Sequence, residues 1–276
     1  MRRVDTNKFG PWAIVTGASS GIGEEFARQL AASGLHLVLV ARRLSVLEVL
    51  GSELAQTFGI SYRAVGLDLT ADDFLAKLTG ASHDLDIGLV ISNAGVMTPG
   101  DFLSIDHRVL QHNLRLNVQA HVDLTHHFGQ RLVQRGRGGL LLVASAVGLQ
   151  GVPFVAEYAA AKAYVLSLGE GLHVELQKSG VHVTVLSPGS TDTPMIEASG
   201  FDRDTMPMKP MATKQCVAEG LAALSANRAT HIPGSLNRIM AAILPRSLAT
   251  RMYGSMMRRT IAGRSVPTTS MFQGTR

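Results

Sequence analysis

Tyr158 and Lys162 stand four residues apart in Tyr158-Ala159-Ala160-Ala161-Lys162, at the start of a strongly helical pattern, so both side chains fall on one helix face. A phenol titrates near ~10, and proton exchange at neutral pH is most efficient from a group near ~7. That gap of ~3 units corresponds to ~4 kcal/mol. One ammonium at ~4 Å in an effective dielectric of ~20 supplies about 4 kcal/mol. The pairing is that of a proton donor with a cation able to tune it. Ser145, thirteen residues upstream, closes an apolar run and offers a hydroxyl to a substrate oxygen. Asn117 lies in the otherwise apolar patch Leu114, Leu116, Val118, and taken alone it reads as a mid-helix asparagine satisfied by water.

A second cluster has a different chemistry. Thr16-Gly17-Ala18-Ser19-Ser20-Gly21-Ile22-Gly23 sits between an apolar run and a helical pattern. Glycines there let the backbone turn sharply and let a pyrophosphate approach the N–H groups of a helix N-terminus. A dinucleotide site follows from that strand–turn–helix context. The second apolar run ends Val40-Ala41-Arg42-Arg43 with no acidic residue. An acid at that place serves the ribose hydroxyls of NAD, and arginine serves the 2′-phosphate of NADP. Arg42, with Arg43 beside it, therefore favours NADP(H) over NAD(H).

These side chains need a scaffold that presents them together. Short β-rich runs occur at Trp12–Thr16, Leu35–Ala41, Ile60–Leu67, Ile87–Ser92, Gly139–Ser145 and Val181–Ser187, with a last one near Thr230–Ile232. Helical spacing separates them at Ile22–Ala32, Leu44–Phe58, Val109–Arg135, Ala156–Lys178 and Lys214–Ala226. Gly34, Gly59 and Gly180 fall where left-handed helix ends are expected. The alternation predicts parallel βαβ units, and near-continuous apolar runs such as Leu37–Val40 suit a sheet covered on both faces. The expected fold is α/β: a doubly wound, Rossmann-type parallel sheet in one domain, residues 1–234, followed by a basic, Met-rich tail, residues 235–276, with an amphipathic helix and a disordered end.

Taken together and in order, these residues resemble the short-chain dehydrogenase/reductase family over about residues 10–235. The resemblance rests on the Thr16–Gly23 turn, Asp68-Leu69 after the third strand, Asn93-Ala94-Gly95 after the fourth, Asn117, Ser145, the Tyr158–Lys162 element and Pro188-Gly189. It implies that Tyr158 is the general acid/base, that Ser145 orients the carbonyl oxygen, and that Lys162 binds the nicotinamide ribose and depresses the tyrosine pKa. Asn117 would hold a water that relays protons. Gly17, Ser19, Ser20, Gly21, Ile22 and Gly23 would line the pyrophosphate, Arg42 and Arg43 the 2′-phosphate, Asp68 and Leu69 the adenine, and Asn93 with Ala94 and Gly95 the ribose. Thr191 and Thr193, after Pro188 and Gly189, would meet the carboxamide and phosphates. Ser92 replaces the first asparagine of the family's Asn-Asn-Ala-Gly, and Thr191 replaces a small aliphatic residue.

Composition bounds what remains. The 276 residues are 46% apolar and 17% charged, enough for a full core and against wholesale disorder. The single cysteine, Cys216, excludes an internal disulfide and fits a reducing, cytoplasmic setting. Gly138–Ala156 is uncharged but broken by glycines, Ser145, Gln150 and Pro153, so it reads as a buried strand and loop. Ten histidines show no metal-ligand spacing, and no metal is expected. Leu149, Val152, Phe154, Met195, Ile196, Phe201, Met206, Met208 and Met211 predict an apolar, adaptable pocket for a lipophilic ketone, aldehyde or secondary alcohol, with Ser145, Leu149, Tyr158 and Met195 against the substrate. After Glu219 no acid follows, whereas eight arginines do; residues 220–276 carry +8 of an overall +5. That tail could form a lid, meet a partner subunit or an anionic membrane, or attract carrier-linked 3-oxoacyl thioesters. Nucleic acid is excluded by the lack of an aromatic platform. A homodimer or homotetramer through the Val109–Arg135 and Ala156–Lys178 faces follows from the resemblance. The competing function is an NADP(H)-binding sensor without turnover.

Overall fold

The computed structural model describes residues 4–200, 209–243 and 246–261. The chain opens with the single-turn helix α1 (Thr6–Phe9), then β1 (Trp12–Thr16), α2 (Gly21–Ala32), β2 (His36–Ala41), α3 (Leu44–Phe58), β3 (Tyr62–Gly66), α4 (Phe74–Ser82) and β4 (Ile87–Ser92). It continues through α5 (His107–Leu114), a π-turn at Arg115–Gln119, α6 (Ala120–Arg135), β5 (Gly138–Val143), a 3₁₀ turn at Ala146–Leu149, α7 (Ala156–Glu175) and β6 (Val181–Leu186). Last come α8 (Pro194–Ala198), α9 (Thr213–Ser225), β7 (Thr230–His231) and two tail helices, α10 (Ser235–Ile243) and α11 (Arg246–Ile261).

The strands form one parallel sheet in the order β3-β2-β1-β4-β5-β6-β7. The order reverses between β1 and β4, which opens a crevice at the carboxyl ends of those two strands, the usual ligand position in such sheets. Side chains alternate across the sheet, as a period of two demands. Val15, Leu37, Leu39, Leu89 and Ile91 pack on one face with Phe26, Leu30, Leu47 and Leu221. Ile14, Val38, Val40, Val90 and Leu140 pack on the other with Leu78, Leu124, Phe128 and Leu132. Burial on both faces explains why these strands read as unbroken apolar runs.

Several boundaries differ from the sequence reading. The helix expected over Val109–Arg135 is broken by the π-turn, which takes in Asn117. β5 ends at Val143, so Ser145 stands in extended backbone at the head of the 3₁₀ turn and not on the strand. α7 ends at Glu175, where a 3₁₀ turn at Gln177–Ser179 takes over. α4 was not anticipated: it is short, and only Phe74, Leu75 and Leu78 form its apolar stripe. Gly59 caps α3 at φ 69° as expected, its N–H bonding to Ala55 O. The tail carries two helices in place of one, with Leu244 and Pro245 between them in the sequence. Its expected disordered end, and Phe201, Met206 and Met208 of the expected pocket, lie outside the described residues. No helix among the described residues is long and apolar enough to cross a membrane.

Candidate active site

At the head of β1 the glycine turn is fixed by the neighbouring strand. Thr16 Oγ1 accepts the N–H groups of Asn93 at 2.9 Å and Ala94 at 3.1 Å. The Asn93 amide donates to Thr16 O at 2.9 Å. Asn93 thus locks the turn, and its side-chain donor is turned into the protein. Gly17 has φ 69°, and a Cβ there would lie 2.8 Å from Asn93 Nδ2. A Cβ on Gly23 would lie 2.2 Å from Gly17 O and 2.6 Å from the same nitrogen. The first turn of α2 packs so closely on β1 that only glycine fits.

This cradle suits a phosphate-bearing dinucleotide. Ser20, the N-cap of α2, makes no side-chain bond to the first helical turn, so N–H groups there point outward without a capping partner from it. Thr193, the N-cap of α8, closes on Gly21, whose Cβ would meet Thr193 Cγ2 at 3.1 Å. Arg42 stands exposed just past the end of β2. Arg43 instead binds Ser19, donating to its O and Oγ at 3.2 Å. Asp68 is held below the usual carboxylate range: burial pushes it up, but Thr70 N–H and hydroxyl bonds and the charges of Arg42 and His112 pull it further down. Thr191 is buried, its hydroxyl donating to Gly189 O at 3.1 Å and close enough to the buried Cys216 thiol to act on it, so its side chain faces the core.

On the other side of the crevice, the helix read from Tyr158 to Lys162 is the first turn and a half of α7, and both side chains are buried. The Ser145 hydroxyl is close enough to Tyr158 to favour its phenolate. Ser145 Oγ otherwise has only loose partners, donating to Pro188 O and accepting from Val147 N–H, each at 3.4 Å. Lys162 Nζ donates to Val143 O at 2.9 Å and lies 5.8 Å from the Tyr158 ring centre. Asn117 accepts from Val96 N–H at 3.0 Å and donates to Val96 O at 2.8 Å. A Cβ on Gly95 would lie 2.9 Å from Asn117 Oδ1 and 3.2 Å from Lys162 Nζ, so these two groups meet over Gly95. The amide satisfied by water in the sequence reading is satisfied by backbone.

The electrostatics correct one expectation. Tyr158 is pushed up to about 12 by burial, with the Ser145 hydroxyl pulling down and the Glu157 charge pushing up. Lys162 is pushed down to about 8 by burial, against the raising effect of Glu157. Desolvation is the largest influence on the phenol and sets an upward net direction, while Lys162 Nζ is engaged by Val143 O. Beneath this group, His121 is fully buried and driven well below its ordinary value by desolvation, with Lys162 adding to the effect. Its Nδ1 is 2.8 Å from Ser92 Oγ, the position where the chain departs from Asn-Asn-Ala-Gly.

An apolar cluster surrounds Tyr158: Val152, Val155, Ala159 and Met257, with Met97, Val147, Phe154 and Tyr253 against them. Val152 and Phe154 were expected in the pocket. Leu149 and Met195 are half-buried and stand outside this cluster, and Met211 packs against the core on the α2 side. Tyr253 and Met257 come from α11, which lies over the 151–155 loop. Thr250 donates to Gly151 O at 2.8 Å, and a Cβ on Gly254 would lie 2.9 Å from Pro153 Cγ. α10 is tied down as well: Glu219 accepts from His231, Gly234 N–H and Arg238 at 3.0–3.1 Å, and Asn237 sits against Gly189. The sequence reading missed Met97, Glu157, His121 and Tyr253; the lid option for the tail was the only pointer to Met257.

Comparison with known proteins agrees with this geometry. Residues 11–204 match the model of the short chain dehydrogenase family. The chain is 32% identical over 231 residues to a 7beta-hydroxysteroid dehydrogenase of Clostridium sardiniense, covering 84% of this chain and 88% of that one. It is 33% identical over 220 residues to a very-long-chain 3-oxoacyl-CoA reductase-like protein of Arabidopsis thaliana, covering 77% and 70%. Among solved structures, a short-chain dehydrogenase of Sphingobium yanoikuyae in complex with NADPH superposes with a TM-score of 0.77 at 28% identity, covering 95% of this chain and 99% of that one.

Proposed function

The chain belongs to the short-chain dehydrogenase family of oxidoreductases, and from that premise we propose that it transfers hydride between NADP(H) and a lipophilic ketone, aldehyde or secondary alcohol. The observation that carries this reading is that buried Tyr158, with Ser145 close enough to act on its phenol, is set in the apolar cluster of Met97, Val152, Phe154, Tyr253 and Met257. A polar sugar would find few partners there, and a rigid, apolar skeleton would find complementary surface. The hydroxysteroid dehydrogenase relative supports that substrate class.

Bound NADPH supplies the hydride. Everything else is the work of side chains. Tyr158, held protonated at neutral pH by burial, gives its proton to the carbonyl oxygen as negative charge develops there. Ser145 donates to the same oxygen and fixes its direction, its present partners at 3.4 Å being weak competitors. Lys162, with Glu157 nearby sustaining its charge, stabilises the phenolate left behind. Asn117 holds the Val96 backbone and so fixes the Gly95 turn close against Lys162. Gly17, Gly21 and Gly23 with the α2 N-terminus would hold the pyrophosphate, and Arg42 the 2′-phosphate.

The test is NADPH oxidation against a panel of lipophilic aldehydes and ketones. Tyr158→Phe should lose on the order of 10²–10⁴ in kcat while NADPH binding persists. Undiminished turnover in that variant would remove Tyr158 from the mechanism. A second reading, reduction of a carrier-linked 3-oxoacyl thioester, draws on the Arabidopsis relative; faster turnover of a CoA-linked ketone than of its free counterpart would favour it. A chain that binds NADPH yet turns over neither is a cofactor sensor. Exposed Val133, Tyr164 and Val174 on α6 and α7 support assembly into a homo-oligomer.

A further inference from the structure

We infer that the two tail helices form a docking face for an anionic lipid surface. Each carries an apolar pair directed at solvent. Leu236 and Ile239, one turn apart on α10, are 54% and 53% exposed; Leu248 and Met252, one turn apart on α11, are 54% and 40% exposed. Exposed arginines frame these pairs: Arg238, Arg246, Arg251 and Arg258. Arg238 is held by Glu219 and Ile232 O, whereas the carboxylates that could neutralise the others locally are missing from the sequence, since no acid follows Glu219. Apolar side chains set among cations at helical spacing suit insertion at the boundary of headgroups and acyl chains, where the cations meet lipid phosphates.

The charge also chooses between occupants. A second copy of this chain would bring arginines against arginines across a two-fold interface, which opposes close contact of these faces. A nucleic acid would meet apolar pairs where it needs stacking surfaces, and α11 exposes no aromatic ring toward it beyond the half-buried Tyr253. An anionic bilayer satisfies both the apolar and the cationic groups at once.

The placement of the face on α11 adds to this. At about 100° per residue, Ala249, Tyr253 and Met257 share the side turned to the protein, and Leu248 and Met252 lie about a third of a turn away. The remaining flank borders a groove of about 530 Å³ whose far wall is Pro153 and Phe154. One helix therefore presents a bilayer-facing pair, a groove and the apolar surroundings of Tyr158 in succession around its axis.

The experiment is flotation of the full chain with vesicles of phosphatidylcholine, alone or with roughly one third phosphatidylglycerol. Wild type should float with the anionic vesicles, be released by salt, and remain behind with the neutral ones. Each cation near an anionic surface is worth roughly fivefold, so Arg246→Glu with Arg251→Glu should lower partition roughly 30-fold or more. Leu248→Ser with Met252→Ser should lower it roughly tenfold and leave turnover of a water-soluble ketone unchanged. No association, equal association with both vesicle types, or variants that float like wild type would overturn the inference. So would light scattering in which the serine variant, without vesicles, falls from a larger assembly to a smaller one, since the face would then belong to a second copy. No cofactor or substrate is present in the flotation, so its failure leaves the hydride-transfer reading standing.

Discussion

On the cofactor side of the crevice, polar side chains bind backbone over short gaps: Thr16 and Asn93 hold each other's main chain, and Gly23 packs where any Cβ would strike Gly17 O. On the substrate side, apolar side chains meet from distant parts of the chain, with Met257 and Tyr253 of α11 brought to Tyr158 by contacts such as Thr250 to Gly151. The first side is made of hydrogen bonds with fixed directions and has one solution. The second is made of contacts without direction, so it tolerates exchange of side chains as long as volume is kept. A shared cofactor and varied substrates within one family are what such a division of labour permits.

Four substitutions press on that contrast, taken in falling order of effect. Gly23→Val drives a branched side chain into Gly17 O and Asn93; it should cost on the order of 3 kcal/mol and weaken NADPH binding on the order of 100-fold, read by thermal melting and fluorescence titration. Normal binding in that variant would mean the cradle is not rigid. In the proposed reading Arg42→Ala would remove a charge-assisted contact to the 2′-phosphate worth about 2 kcal/mol, so NADPH affinity should fall about 30-fold with NADH affinity unchanged. An equal fall for both cofactors would make Arg42 structural.

Met257→Ala should raise KM for a bulky lipophilic ketone about tenfold through lost apolar contact, with NADPH affinity untouched. A loss of NADPH affinity would show that the two sides are coupled. The smallest effect is on pH. Reduction that needs the Lys162 ammonium should decline as pH rises through about 8. Because the Glu157 charge raises the lysine pKa, Glu157→Gln should move that decline to lower pH in a kcat profile. A decline that stays in place would assign it to another group.

The same contrast governs what could be read before the structure. Trp12–Thr16, Ile87–Ser92 and Leu44–Phe58 keep their anticipated limits because apolar runs buried on both faces leave a local signature, and Gly59 marks its helix end. Tyr158, Lys162, Ser145 and the glycine turn were visible from residue type and spacing. What Asn93 does was not, because its partner Thr16 is 77 residues away and becomes a neighbour only through the β1–β4 pairing. The place of Ser145 was missed by two residues, since the apolar run outlasts the strand: Ala144 N–H still bonds Leu186 O, and the chain then turns. Met257 lay beyond reach for the same reason as Asn93, without even a polar side chain to suggest a partner. The pKa of Tyr158 went the wrong way because spacing gives proximity to Lys162 and says nothing of desolvation.

The π-turn at Arg115–Gln119 gives the long helix one residue more than regular winding would hold. Deleting a single residue there would let the helix wind regularly, with better hydrogen bonds along its length. The segments on either side would then be rotated by about 100° relative to each other. If Leu124, Phe128 and Leu132 kept their places on the sheet, Asn117 would swing away from Val96; if Asn117 stayed, the apolar stripe would face solvent. The shorter, more regular helix would therefore be the poorer catalyst, and this stretch should accept exchanges of residue far more readily than any change of length.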